Sequence, residues 1–271
     1  VYRYNNFQEL KYSIRSLFKY CGDWIGNVYI VVKDGQKPKY LDFTNPRLIL
    51  VKHSEIMPED ALPTFNSNAI ELCICKIKNL RDIYVYFNDD MFVNKRFEPI
   101  SPDKRIKVNI LGNSQGRSII NYTQGHTGSY NFIDTYSNTL YYARKIFNTD
   151  VDIDFPHSPS VCYKPWEIEM ENILIDNNIW LPTVLSMFRN NTNIIVNNCF
   201  RTYFYLTKKH IDIVKWNDTK NELKENTNCK INYKPFFAVN EIPSACGKKF
   251  KKQMEDMYSR PSLFERGLGE A

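Results

Sequence analysis

Glycine is scarce in this chain, 10 residues of 271, which excludes a collagen-like architecture. Apolar runs are short. None approaches the roughly 18–20 residues that a bilayer-spanning helix needs. The 7 cysteines are odd in number and show no metal-ligand spacing. Cys73 and Cys75 sit in an apolar helical pattern and read as buried thiols, so nothing in the sequence demands an oxidising compartment. No internal repeat occurs. The sequons at Asn121, Asn190 and Asn217 carry little weight in a chain this rich in asparagine.

What is present suits a folded enzyme-sized body. Hydrophobic residues make up 43% and aromatics 14%, with 18 Tyr and 17 Phe, enough for a sizeable core in one large domain or one with an insertion. Lysine and arginine total 36 against 30 acids, a net charge of +6. The densest basic cluster is "GKKFKKQ", Gly247 to Gln253, and most such runs are solvated helix faces. The excess fits an anionic small substrate, a polyanion or a membrane surface without choosing among them.

Periodicity supplies the frame. Phe7, Leu10, Ile14, Leu17 and Phe18 predict an amphipathic helix over 7–20. "NVYIVVK" (27–33), "RLILVK" (47–52) and Ile83 to Phe87 read as strands, with a helix over 68–80 before the third. Helix, strand, strand, helix, strand is the rhythm of an α/β sheet. Residues 99–130 lack clear periodicity and read as an inserted lid or acceptor-side region, with short strands around "IKVNIL". Helices return over 137–148, from Pro165 to about Asp176, over 193–207 and over 247–258, while 217–232 reads as a polar surface connection.

The strand 83–87 runs directly into Asn88, Asp89 and Asp90. In α/β sheets ligands bind beyond the carboxyl ends of the strands. Adjacent carboxylates repel, and a cation relieves that repulsion. Mg²⁺ takes oxygen ligands, typically one or two carboxylates plus substrate phosphates and water. Asp89 and Asp90 thus suit a metal–diphosphate site with Mg²⁺ or Mn²⁺; ordinary turn capping by Asx side chains is the bland alternative.

"RYNNFQELKYSIRSL" (3–17), "GQKPKYL" (35–41), "LPTFNSNAIE" (62–71) and "YFNDDMF" (86–92), in that order, resemble the second conserved block of the Stealth family of hexose-1-phosphate transferases. "FPHSPSVCYK" (155–164) is similar to the third block and "FFAVNEIPSACGKKFKKQMEDMYSRPSLFE" (236–265) to the fourth. The resemblance implies transfer of a hexose-1-phosphate, an N-acetylhexosamine-1-phosphate such as that of UDP-GlcNAc being the first expectation, from a nucleotide-diphosphate sugar to a hydroxyl of an acceptor glycan. The products would be a phosphodiester and a nucleoside monophosphate. It implies a GT-A-like α/β fold, a mixed sheet flanked by helices with a largely helical C-terminal half. The expected divisions are 1–98 as the nucleotide-sugar core, 99–136 as the insertion, 137–265 as the helical half and 266–271 as a tail.

By the same resemblance, His157 is the candidate proton acceptor and Arg189 the candidate grip on the diphosphate. Arg3 and Arg15 match family positions that would serve phosphates or nucleotide, with internal salt bridging by Arg15 to Glu9 on its own helix as the competitor. Asn66, Ser67 and Asn68 sit at a predicted helix start, where main-chain N–H groups favour an anion; capping by Ser67 or Asn68 with Glu71 reaching back is the alternative. Asn88, Glu71 and Asn240 complete the expected substrate contacts. Glu241 stands where the family's fourth block carries aspartate, and its longer arm departs from that ligand pattern. His53 matches the second block and is expected to be structural or peripheral, and His126 and His210 have no supporting context.

The family's first acidic block would precede Val1, so the native polypeptide is expected to carry an N-terminal strand and acidic loop beyond these residues. Two other classes compete. One is a metal-dependent glycosyltransferase releasing nucleoside diphosphate. The other is a non-catalytic polyanion- or membrane-binding module using the basic helix 247–258. No nucleic-acid partner is expected. The location would be the cytoplasm or the inner membrane face in a bacterium, through that same basic helix, and the Golgi lumen in a eukaryote.

Overall fold

The computed structural model describes residues 6–110, 112–113, 124–125, 128–149, 153–154, 158–215, 218–223, 226 and 228–266. In chain order the elements are α1 (Glu9–Cys21), β1 (Val28–Val32), β2 (Leu48–Lys52), α2 (His53–Ile56), α3 (Ser67–Cys73), β3 (Ile83–Tyr86), β4 (Met91–Val93), β5 (Ile106–Asn109) and β6 (Gly112–Asn113). There follow α4 (Phe132–Phe147), β7 (Ile153–Asp154), β8 (Ser160–Tyr163), α5 (Lys164–Asp176), α6 (Trp180–Val184), a π turn (Val196–Phe200), α7 (Arg201–Leu206), β9 (Ile211–Val214), β10 (Asp218–Glu222), β11 (Phe236–Glu241) and α8 (Gly247–Met257). The chain is α/β, with most of its helix in the second half.

The strands do not form one sheet. Among the described residues β1 pairs in parallel with β2, β3 antiparallel with β8, and β5 in parallel with β9. A three-stranded sheet runs β10–β11–β4, and β6 pairs with β7. Strand β10 replaces the surface connection expected over 217–232. Its sequence, "DTKNE", has no apolar alternation, and its strand state comes from parallel pairing with the apolar β11. Residues 106–109, inside the stretch read as inserted, put Ile106 and Val108 into the largest hydrophobic cluster.

That cluster gathers Leu72 of α3, Leu140 of α4, Val161 of β8, Leu174 of α5, Val184 of α6 and Phe204 of α7. A second joins α1 to α8 through Tyr12, Phe92, Phe237, Phe250 and Met254, with the Phe92 and Phe237 rings stacked at 5.0 Å. Glycine at 247 permits this approach, because a Cβ there would lie 2.0 Å from the Phe7 ring. Lys248, Lys249, Lys251 and Lys252 are exposed on α8 while Phe250 and Met254 are buried, the pattern of a solvated basic face on an amphipathic helix.

Five cysteines are buried free thiols, Cys73 and Cys75 among them. Cys229 and Cys246 instead form a disulfide that pins the loop after β10 to the turn before α8. The expectation of buried thiols at Cys73 and Cys75 holds, while the sequence assigns Cys229 and Cys246 no partner. The bridge is set by a Cα separation of 5.4 Å in space, which spacing along the sequence does not report. No helix among the described residues is long and apolar enough to cross a membrane.

Candidate functional site

A cavity of about 2080 Å³ runs along β1 and β3, and every residue of both strands lines it. Each strand has one ladder partner among the described residues, so each presents an edge that could meet the cavity. At the carboxyl ends of the strands the lining passes to Lys33, Gln36 and His53, to Asn88, Asp89 and Asp90, and to Ser67, Asn68, Glu71 and Arg189. The location beyond the strand ends is the one the sequence implied.

Asp89 and Asp90 sit in a tight turn closed by Met91 N–H on the Asn88 carbonyl at 3.2 Å. The Asp90 carbonyl accepts from Val239 N–H at 3.0 Å, which fastens the turn to β11. Asp89 is reachable by solvent but ringed by protein. Burial raises its carboxyl above the ordinary aspartate value, while main-chain N–H groups of Asp89 and Asp90 pull the other way. Glu9, at the start of α1, also lines the cavity. Its carboxyl is raised first by burial and further by the charge of Asp89. Tyr40 lines the same region and is pushed up to about 12 by burial and by these two acids. Glu9's place at the cavity carries no sequence signal, because a first-turn glutamate is ordinary helix chemistry.

Two adjacent aspartates with an acidic neighbour are a hard-oxygen donor set. Among the described residues no group of three His, Cys, Asp or Glu is arranged to hold a metal. Carboxylate oxygens of this kind are the donor type that Mg²⁺ or Mn²⁺ takes, and such an ion would have to complete most of its shell with phosphate and water.

On the α3 side, Asn66 is the cap: its side-chain oxygen accepts from Asn68 N–H at 3.1 Å. Its amide nitrogen donates to the Thr183 carbonyl and to Asn193, at 3.2 and 2.9 Å. Asn66 is thus committed to structure and does not line the cavity, whereas Ser67, Asn68 and Glu71 do. Glu71 does not reach back to the cap. Its oxygens accept from Tyr86 O–H and from Asn197 N–H, each at 3.0 Å. Burial raises its carboxyl, and Arg201, these hydrogen bonds and Arg189 oppose the shift.

The C-terminal half lines the cavity with Arg189, Ile195, Asn197, Cys199, Val239 and Ile242, of which Arg189 and Asn197 bring charged or amide side chains. Exposed Arg189 donates to the Ser67 hydroxyl at 2.7 Å. Asn197, in the π turn, lines the cavity, and its side-chain oxygen accepts from Arg201 at 3.2 Å and from the Ser160 hydroxyl. Arg201 in turn grips Glu167 with bonds of 2.8 and 2.9 Å, and Tyr205 O–H adds a third at 2.7 Å. Sequence reasoning missed Asn197. A π turn inside a helical pattern has no sequence signature, though such turns concentrate at functional sites.

Arg15 is placed elsewhere. It is buried and spends its guanidinium on Glu265, Glu255 and the Tyr258 carbonyl, and it does not line the cavity. Its partners are these distant acids rather than Glu9 of its own helix. Asn240 and Glu241 lend main chain to β11, where the pairing with β10 skips Asn240 and makes a bulge; their side chains lie outside the description. Arg3, His126 and His157 lie outside the described residues.

Residues 3–108 match the model of Stealth protein conserved region 2. Over that span the chain is similar to the Stealth proteins. The span contains Asp89, Asp90, the α3 start and Glu9, so most of the cavity's polar lining belongs to it. The chain is similar to an exopolysaccharide phosphotransferase of Lactiplantibacillus plantarum, 46% identical over 98 residues, covering 36% of this chain and 28% of the relative. It is similar also to a capsular polysaccharide phosphotransferase of Actinobacillus pleuropneumoniae, 38% over 99 residues, covering 36% and 27%. A capsular polysaccharide phosphotransferase of Streptococcus pneumoniae aligns at 39% over 92 residues, covering 34% and 27%. The alignments thus span little more than a quarter of these relatives' length. Residues 155–164 and 236–265, which resemble the third and fourth blocks, lie outside the matched span.

Proposed function

We propose that this chain transfers a sugar-1-phosphate from a nucleotide-diphosphate sugar to a hydroxyl of an acceptor glycan. The observation that carries the reading is one cavity lined by both the Asp89–Asp90 turn and the Arg189–Ser67 pair, with Asp89, Asp90 and Ser67 inside the span that matches Stealth conserved region 2. Phosphoryl transfer asks a protein chiefly to position its reactants and to neutralise developing charge.

In the proposed reaction the acceptor oxygen bonds to the phosphorus that carries the sugar. The bond from that phosphorus to the bridging oxygen breaks, and nucleoside monophosphate leaves with the electron pair. The acceptor's proton passes to a base, for which His157 is our candidate on residue chemistry. Arg189, fixed by Ser67 and free to offer its other N–H groups, would grip the diphosphate. Asp89 and Asp90 would hold Mg²⁺ or Mn²⁺, and such an ion, when bound, offsets charge on the diphosphate. The donor sugar is expected to be an N-acetylhexosamine, and the supporting argument is family resemblance alone.

Thermal protection tests the donor reading. The protein is heated with each of a panel of nucleotide-diphosphate sugars, with and without Mg²⁺. One donor should raise the melting temperature in an Mg²⁺-dependent way. Protection by none of them would remove the reading.

A further inference from the structure

His53 is the first residue after β2, 6% exposed, and lines the cavity; its ring Nδ1 is buried and makes no hydrogen bond among the described residues. A buried polar atom left without a partner is costly, by about 1–3 kcal/mol, and such atoms persist where something else uses them. The surroundings say what. Lys33, first after β1, places its ammonium 4.9 Å from the centre of the Phe65 ring. Phe65 is stacked on Phe188 at 5.4 Å with an interplanar angle of 10°, and the two rings are 54% and 62% exposed. Phe65 lines the cavity and Phe188, exposed beside it, backs its ring; such an aromatic pair with a cation against one face forms a platform for another flat ring. Burial holds the His53 imidazole below its ordinary value, with Lys33 acting the same way and Asp34 opposing. A neutral imidazole both donates and accepts. Asp34 is itself occupied by the Ser54 N–H and hydroxyl, so it does not fill the vacant His53 position.

We infer that the carboxyl ends of β1 and β2 form a nucleoside subsite, where His53 bonds the nucleoside through Nδ1 and the Phe65–Phe188 pair stacks its base. The inference rests on the donor reading and deepens it. It orders the donor across the site, nucleoside at the ends of β1 and β2, sugar-phosphate at Asp89 and Asp90 after β3. Both positions lie beyond the carboxyl ends of strands, the side on which α/β proteins take ligands.

The test measures binding without turnover. UMP, CMP, AMP and GMP are titrated calorimetrically into the 271-residue protein with Mg²⁺ present, and a hexose-1-phosphate serves as the control lacking a nucleoside. One nucleotide should bind. His53→Ala, His53→Gln and Phe65→Ala should each weaken it about tenfold, the loss expected for one buried hydrogen bond or one stacked ring. Hexose-1-phosphate affinity should not change. In the wild type the His53 ring nitrogen resonances should move when the nucleotide is added, a readout that needs no variant to fold. Unmoved ring signals, or full nucleotide affinity in a folded His53 variant, would overturn the inference and leave the donor reading standing. A wild-type protein that binds none of the four nucleotides would overturn both.

Discussion

Arg189 and Ser67 are 122 positions apart in sequence and 2.7 Å apart in space, so the loop before the π turn is tied to the first residue of α3. A planar guanidinium can keep that bond and still present two parallel donors to a phosphate, while an ammonium offers a single point charge. Arg189→Lys should therefore lower kcat/KM about tenfold or more although charge is conserved. Ser67→Ala should have a smaller effect, since it loosens the fork without removing it. Steady-state kinetics on the two variants decide this, and full activity in the lysine variant would make Arg189 a structural residue.

Asp89 carries a conflict between stability and activity. Its folded carboxyl is raised above the unfolded value, so its contribution to stability is fully present below the unfolded value and is lost as pH rises through the raised one. At neutral pH the charged carboxylate, close to Glu9, works against folding. Asp89→Asn should melt at a higher temperature than wild type at pH 7, with the difference shrinking on acidification. The same change should cut turnover about a hundredfold or more, as should Asp90→Asn, because the diphosphate loses its anionic anchor for a cation. Melting curves from pH 4 to 8, run beside activity assays with and without chelator, check both halves. Undiminished turnover in the presence of chelator would remove the metal.

Arg201 and Glu167 are 3% exposed each and joined by two hydrogen bonds. Removing one partner leaves a buried charge uncompensated, at a cost of about 3–5 kcal/mol. Glu167→Ala should lower stability by that order in denaturant unfolding. It should also raise donor KM, because Arg201 positions Asn197 at the cavity. A stability loss with unchanged KM would confine the pair to the core.

The first hundred residues were largely legible because their apolar spacing is strong. Phe7 to Phe18 predicted α1, and the runs at 27–33, 47–52 and 83–87 predicted β1, β2 and β3 within a residue or two. Asp89 and Asp90 were legible as strand-end carboxylates and reached the cavity. What stayed hidden depends on contacts between distant segments. Helix α4 begins at Phe132, five residues before its expected start, because Asn131 caps it by accepting from Ile133 N–H at 3.0 Å while Phe132 and Ile133 stay exposed and give no apolar stripe. Strand β8 is four residues long and exists by pairing with β3. Glu9 and Asn197 gained their places from tertiary packing, and Asn66 lost its expected substrate role to Thr183 and Asn193 for the same reason.

The Cys229–Cys246 bridge closes a sequence separation of 17 residues. Constraint of a loop of that size in the unfolded chain is worth about 3 kcal/mol. Reduction, or Cys246→Ser, should lower the melting temperature measurably, and Cys73→Ser should leave the redox-dependent difference intact. Equal melting with and without reductant would mean that the bridge contributes nothing to stability.

The central claim is that phosphorus, and not only the sugar, moves to the acceptor. It is tested by following the phosphate next to the sugar. A nucleotide-diphosphate sugar labelled with ³²P at that position is incubated with the protein, Mg²⁺ and an oligosaccharide acceptor, and the products are separated. Sugar-phosphate transfer predicts that the label appears on the acceptor in a phosphodiester, in equal amount with unlabelled nucleoside monophosphate. Label retained in nucleoside diphosphate, with the acceptor gaining an unlabelled sugar, would contradict it and show cleavage at the anomeric carbon.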